Sequence, residues 1–275
     1  MAKAIGRIRN GSRPRRNRAA LVGWRLVRGA LTYGLPFAAF LIAWQLFSDA
    51  FGVPALFPPP TTTFSTFVSL VADGSLPRDA AASMARILSG FLIGSVAGAF
   101  IGLLMGYSPL AHAALDPYVN FLRFISAIAW ISIFMLWFGI GELSKIALIV
   151  YATTFTVVVN TVAGVKAIAR NKIRAARSLG ADHNQVFCFV TLPATMPYIL
   201  SGMRLSLANS FLVLVTAEMV QADSGIGFAI ISARIYLAPD IIFTGMIVLG
   251  LLGLLSDRAL ALVSRLFLGR YYRRN

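Results

Sequence analysis

Along this 275-residue chain, apolar stretches alternate with short polar segments, and the alternation predicts six helices of bilayer-spanning length at about 31–49, 84–106, 118–138, 144–164, 197–217 and 241–263. Between the first two, Phe57-Pro58-Pro59-Pro60 cannot continue a helix. Beyond it, Phe64, Phe67, Val68 and Val71 recur at i, i+3, i+4 and i+7, the pattern of a short amphipathic helix on a membrane surface. The second span carries Gly90, Gly94, Gly98, Gly102 and Gly106, which line up every four residues as a shallow groove. Such stripes let helix backbones approach closely in lipid. Packing inside the chain's own bundle is the default reading, and an interface with another chain or a transport path is the alternative.

Hydrophobic residues make up 58% of the chain and charged ones 13%, a profile that excludes an ordinary soluble domain. The net charge of +15 invites a nucleic-acid reading until the charges are placed. Nine Lys/Arg fall in 1–30, five in 166–177 and five in 258–274, all on one side if six helices alternate. The opposite side holds Asp49, Asp73, Asp79, Glu142, Asp223 and Asp240 against Arg78, Lys145 and Arg234. This positive-inside distribution places both termini in the cytoplasm and makes anionic lipid headgroups, not nucleic acid, the partner of the basic segments. No small-x-small cleavage site follows the first span, so it reads as an uncleaved helix. Cys188 is the one cysteine, and His112 and His183 stand alone without ligand spacing; neither a disulfide framework nor a metal site is expected.

The polar island at 166–195 carries the clearest chemistry. Residues 168–179 have the Ala/Arg/Lys make-up of a short helix, Gly180 supplies a left-handed stop, and 182–190 can form a second helical turn. Pro193 and Pro197 are expected to end that turn and start the next span. Such a helix–Gly–helix knob suits a socket on another protein. The island reads Arg174-Ala175-Ala176, three residues, Gly180-Ala181, eight more, Val190, one residue, Leu192-Pro193. This resembles the EAA loop of ABC importer permeases at every spacing. Val190 replaces the family's Ile, a trivial change; Arg174 replaces its Glu, a charge reversal.

The run Trp137-Phe138-Gly139-Ile140-Gly141-Glu142 before Ser144-Lys145 resembles the nitrate, taurine and alkanesulfonate group of these permeases. Further matches are Ser83, Arg86, Asn160-Thr161, Gly164, Ser201-Gly202-Met203-Arg204, Ala217-Glu218-Met219 and Gly225-Ile226-Gly227, so the resemblance covers about 55–265. It implies an all-α, polytopic membrane protein of about six transmembrane helices with the type I ABC importer permease fold. Where the group has prolines in the third span, this chain has Phe124, Ser126, Ala127 and Ser132, so a straighter helix is expected there.

Charges at membrane depth carry a functional hypothesis by default. Arg86 and Glu218 fall at the same outer depth and are candidates to pair as a gate, with Ser126 and Ser132 as further pathway candidates; the alternative is two residues that snorkel separately. Arg123 and Arg204, near the inner ends of their spans, read as anchors.

The chain has no phosphate-cradling Gly-x-x-x-x-Gly-Lys-Ser/Thr loop and no nucleophile–base constellation, so no catalytic, cofactor or metal residue is expected. The resemblance implies ATP hydrolysis on a cytoplasmic ATPase dimer docked at Arg174, Ala175, Ala176, Gly180, Ala181, Leu192 and Pro193. It also implies a periplasmic or lipid-anchored solute-binding protein, a second permease copy, and residence in a bacterial inner membrane. A homodimer is the simpler arrangement and a related second permease the alternative. The expected organisation is a basic cytoplasmic segment 1–30, a first transmembrane helix 31–49, a periplasmic linker 50–83 with the amphipathic helix, a permease core 84–265 containing the coupling loop 166–195, and a cytoplasmic tail 266–275. A secondary transporter or channel not driven by ATP is the competing class, but the chain shows neither an obvious inverted repeat nor a mid-span acid.

Overall fold

A computed structural model describes residues 18–51 and 56–272; most of the basic N-terminal segment lies outside them. The described residues form helices joined by short turns and loops, with no strand among them, in two units, one ending at Thr61 and one beginning at Thr62. In the first, α1 (Arg18–Phe51) contains the expected first span, with an apolar stretch at Gly34–Ala50. The segment after α1 doubles back on it: Ser48 Oγ donates to the Phe57 carbonyl (2.6 Å), and the Phe57 ring meets Phe47 edge-on at 5.5 Å.

The second unit begins within α2 (Pro60–Ala72), the expected amphipathic helix. Its apolar face divides. Phe67 and Leu70 pack on a core of Leu76, Ile226 and Val248, whereas Phe64, Val68 and Val71 stay exposed. Then follow α3 (Ser75–Tyr107), α4 (Pro109–Leu122), a 3-10 turn at Ala127–Trp130, α5 (Ile131–Phe138) and α6 (Glu142–Lys166). The loop helices α7 (Arg170–Ser178) and α8 (His183–Val186) lead through a π-helical segment at Phe187–Thr191 into α9 (Leu192–Gln221). The chain closes with α10 (Ile226–Ile235) and α11 (Pro239–Tyr272).

Among the described residues, Ser75–Tyr107, Glu142–Lys166, His183–Val220 and Pro239–Leu266 are long and apolar enough to cross a membrane, and α4 with the segment Ala127–Phe138 forms a fifth, bent candidate. The glycine stripe decides how the first two meet. A Cβ added at Gly90, Gly94, Gly98, Gly102 or Gly106 would fall 2.6–2.8 Å from Ile149, Thr153, Thr154/Val157, Thr161 and Val165 respectively. The groove therefore seats α6 in the same chain. Both numbers rise together, so α3 and α6 run parallel, and the intervening residues must recross the layer. The bent pair makes that crossing.

Two expectations need correction here. The third span is not straight: α4 and Ala127–Phe138 meet at 87°. At the break, which carries no proline, Tyr151 Oη on α6 donates to the Leu122 carbonyl, which also accepts the Ile125 N–H, and lies 3.2 Å from the Ile125 carbonyl. Nor do Pro193 and Pro197 end the loop's second helix, since His183–Val220 is continuous. The π segment absorbs one extra residue, with Leu192 N–H bonded to Phe187 O, and Pro193 follows directly, where the wide π pattern gives way to the ordinary helical one.

Candidate functional site

The densest polar cluster joins α3, α6, α9 and the turn before α10. Arg86 donates through Nε and Nη2 to both carboxylate oxygens of Glu142, at 2.6 and 2.8 Å, and through Nη1 to Glu218 at 2.7 Å. It also reaches the carbonyl and hydroxyl of Ser224 at 2.7 and 3.0 Å. Glu218, 1% exposed, accepts from Ser83 Oγ at 2.7 Å and from the Gly227 N–H at 2.8 Å. Lys145 Nζ donates to Glu142 at 2.9 Å, and Asp79 receives the Gly225 N–H at 3.0 Å. Arg86 and Lys145 balance Glu142 and Glu218, and every buried charge has a hydrogen-bonded partner, the condition under which such groups persist away from water.

The glycines of Gly225-Ile226-Gly227 are part of this geometry. Gly225 has φ +117°, and a Cβ there would lie 2.4 Å from a Glu218 oxygen; one at Gly227 would lie 2.8 Å from Glu218 Cβ. The turn wraps the carboxylate with bare backbone. Arg86 and Glu218 thus meet directly, whereas Glu142, Lys145, Asp79 and Ser224 were not singled out from the sequence as their partners. The Glu142–Lys145 spacing of three in the first turn of a span was the available signal.

Halfway along α6 lies a cleft of about 480 Å³ lined by Arg123, Ser126, Thr156, Asn160 and Asn209 among apolar and aromatic side chains. Ser126 is exposed at the elbow between α4 and α5. Ser132 is also exposed but is the second residue of α5 and does not line the cleft. Arg123 is no inner-end anchor. The elbow that carries it is tied to Tyr151, nine residues or about 14 Å along α6 from Glu142, close to the helix centre. Arg204 pairs with Asp257 through two hydrogen bonds of 2.5 and 2.6 Å, a partner that sequence spacing does not reveal.

The third site is the polar loop. Helix α7 stops in a Schellman motif: Ala181 N–H bonds to Ala176 O (3.1 Å), Gly180 N–H to Arg177 O (2.9 Å), and Gly180 takes φ +84°. Helix α8 starts with a capping box between Asp182 and Gln185. Arg174, Ala175 and Gly180 are exposed and Ala176 and Ala181 half-buried, with Leu179 at 88% exposure beside the glycine. Leu192 and Pro193 are half-buried at the base, where α9 begins. The knob therefore presents Arg170, Lys172, Arg174 and Arg177 around an apolar tip, and among the described residues no carboxylate pairs with Arg174.

Comparison with known proteins gives a consistent result. Residues 90–268 match the family described as binding-protein-dependent transport system inner membrane component. The chain is 34% identical to the taurine transport system permease protein TauC of Escherichia coli (strain K12) over 248 residues, covering 88% of this chain and 90% of that one. It is 36% identical to the putative aliphatic sulfonates transport permease protein SsuC of Bacillus subtilis (strain 168), covering 93% and 94%. Against the bicarbonate transport system permease protein CmpB of Synechococcus elongatus it is 32% identical, covering 94% and 95%. A solved chain of the MetNI methionine ABC transporter, in inward facing conformations, superposes with a TM-score of 0.59 at 19% identity, over 67% of this chain and 92% of that one, and shares the fold. With the glycine-seated α3–α6 pair, the Gly180-stopped loop and a family match over 90–268, this chain belongs to the inner-membrane permease components of binding-protein-dependent ABC transporters.

Proposed function

We propose that this permease subunit forms half of a path for a small anionic solute, in the class of nitrate, sulfonates, taurine or aromatic acids, and that two copies assemble with two ATPase subunits. The chain binds no cofactor of its own; ATP is bound and hydrolysed on the partner. A solute-binding protein, periplasmic or lipid-anchored, delivers the solute at the face bearing the Arg86 cluster. Both termini and the α7–α8 knob lie in the cytoplasm, where the basic segments also meet anionic lipid.

The observation that carries this reading is the continuity of the knob with the membrane helices. The π segment joins α8 to α9 without a break, and α9 carries Glu218 in the buried cluster at its far end. Movement of the knob toward its counterpart in a second copy is transmitted along one rod to the opposite face, where the Arg86–Glu218 pair, which joins α3 to α9, is the contact able to separate as a gate.

Tagged wild-type chain expressed with its ATPase should co-purify with it, and the binding protein with its solute should stimulate ATP hydrolysis. Single cysteines in a Cys188→Ser background should resist a membrane-impermeant thiol reagent in intact cells at Asn184 and react at Ser75. Failure of the ATPase to co-purify, or external labelling at Asn184, would overturn the assignment.

A further inference from the structure

The cleft beside the α4–α5 elbow has a composition that the transport reading alone does not require. It lies where α6 and α9 are midway through their lengths, since its α6 lining runs from Tyr151 to Asn160 and its α9 lining from Leu205 to Val213. Non-helical backbone at such depth is tolerated where it is buried in protein or faces a water-filled cavity, and the elbow faces this cleft. Most of the lining is apolar or aromatic, so its polar groups stand out.

Those groups are donors. Arg123 stacks its guanidinium over the Phe124 ring at 4.8 Å, and among the described residues no carboxylate lies within ion-pair distance of it. This contrasts with Arg86 and Arg204, both held by acids. The Ser126 hydroxyl makes no capping bond. Asn160 Nδ2 spends one proton on the Thr156 carbonyl at 2.8 Å, and Asn209 Nδ2 directs one toward Thr156 Oγ1 at 3.4 Å, leaving each amide a second N–H. Thr156 Oγ1 donates to Ala152 O, so Thr156 holds the Asn160 amide through its carbonyl and the Asn209 amide through its hydroxyl oxygen rather than offering a proton of its own. No acid lines the cleft. The result is one uncompensated cation with several unspent neutral donors in a largely apolar wall.

We propose that Arg123, with Ser126, Asn160 and Asn209, forms a binding station for small oxyanions midway along the permease. The shared chemistry is a sulfonate, carboxylate or nitrate group whose oxygens accept the guanidinium fork and the amide N–H groups. Arg123 supplies the charge, the amides supply direction, and the apolar and aromatic wall beside them lowers the local polarity and strengthens both. The proposal rests on the transport reading and adds where in the chain the anion is held. A station in a path must bind weakly enough to release, which suits one guanidinium with neutral donors better than a cluster of cations.

The test uses the full chain in membranes with Ala127→Cys, a cleft-lining position, in a Cys188→Ser background. Labelling rates are compared for 2-sulfonatoethyl and 2-(trimethylammonium)ethyl methanethiosulfonate. The sulfonate reagent should be favoured, and Arg123→Gln should cut that preference by about tenfold while Arg123→Lys keeps most of it. Millimolar methanesulfonate should protect the cysteine from labelling, chloride at equal ionic strength should not, and Asn209→Leu should weaken the protection. Native Cys188, which is exposed, reports in parallel chains that Arg123→Gln leaves the fold and the general labelling rate unchanged. Equal reagent preference with and without Arg123 overturns the station, and so does charge preference without methanesulfonate protection, which shows a field and no site. Co-purification of the ATPase from the same membranes separates these failures from a failure of the transport reading.

Discussion

Tyr107, the last residue of α3, donates its hydroxyl to the carbonyl of His183, the first residue of α8, at 2.8 Å, while its ring meets those of His183 and Phe187 at 4.7 and 5.0 Å. The knob is thereby fastened to a second helix besides α9. Tyr107→Phe removes the hydrogen bond and keeps the rings, so the assembled transporter should retain its ATPase subunits yet move less solute per ATP hydrolysed. Uptake and phosphate release measured in the same proteoliposomes decide it; an unchanged ratio would make the contact a packing detail.

Gly180→Val should impair assembly through backbone strain alone. No atom lies within 4 Å of a Cβ placed there, so the cost comes from φ +84°, on the order of 1 kcal/mol or more for a β-branched residue. Gly180→Asn, which tolerates that conformation, should restore ATPase co-purification. Equal yields for Val and Asn would show that the left-handed turn is dispensable.

At Gly98 the obstacle is packing. An added methyl meets Thr154 O at 2.7 Å and Val157 Cβ at 2.8 Å, both on α6, whereas at Gly250 it meets nothing within 4 Å. Gly98→Ala should destabilise the detergent-solubilised chain by about 1–3 kcal/mol, and Gly250→Ala should be neutral or slightly stabilising. Thermal unfolding curves that rank the two the other way would contradict the α3–α6 seating.

Arg86→Met leaves Glu218 buried with its principal cation gone and should cost about 3–5 kcal/mol, while Arg86→Met combined with Glu218→Met should recover much of the loss. A double variant as unstable as the sum of the singles would show that each charge serves separately.

Arg174→Glu installs the acid usual at this place in the family within a face that also carries Arg170, Lys172 and Arg177. It should weaken association with this chain's own ATPase at low ionic strength, and the difference should fade as salt rises, because exposed pairs are screened within about 8–10 Å. Pull-downs at two salt concentrations measure it; identical yields at low salt would leave Arg174 a solvated surface residue.

What could be read from the chain in advance was what local chemistry dictates. Twenty-residue apolar runs locate membrane helices, a glycine after an Ala/Arg-rich helix marks its stop, and five glycines spaced by four mark a close-packed face. The common depth of Arg86 and Glu218 followed from counting residues along two spans. The elbow at Arg123–Ser126 could not be read in this way, because the group that pins it, Tyr151, lies 26 and 29 residues away from the carbonyls it meets. Pro193 misled for the opposite reason: its local preference is real, but a π segment satisfied it without ending the helix. Glu142 was visible as an outer acid, yet its grip on Arg86 depends on the parallel placement of α3 and α6, which is a tertiary fact.

That placement restricts how the molecule can move. Five glycines on α3 receive five consecutive turns of α6, so sliding one helix past the other by a single residue would set side chains against side chains at every level at once. The pair consequently behaves as one rigid strut, incapable of gradual shear. Alternation between open and closed states would then be taken up by joints that lack such interlocking, and among the described residues the bend between α4 and α5, pinned by one tyrosine hydroxyl, is such a joint, beside the proposed anion station.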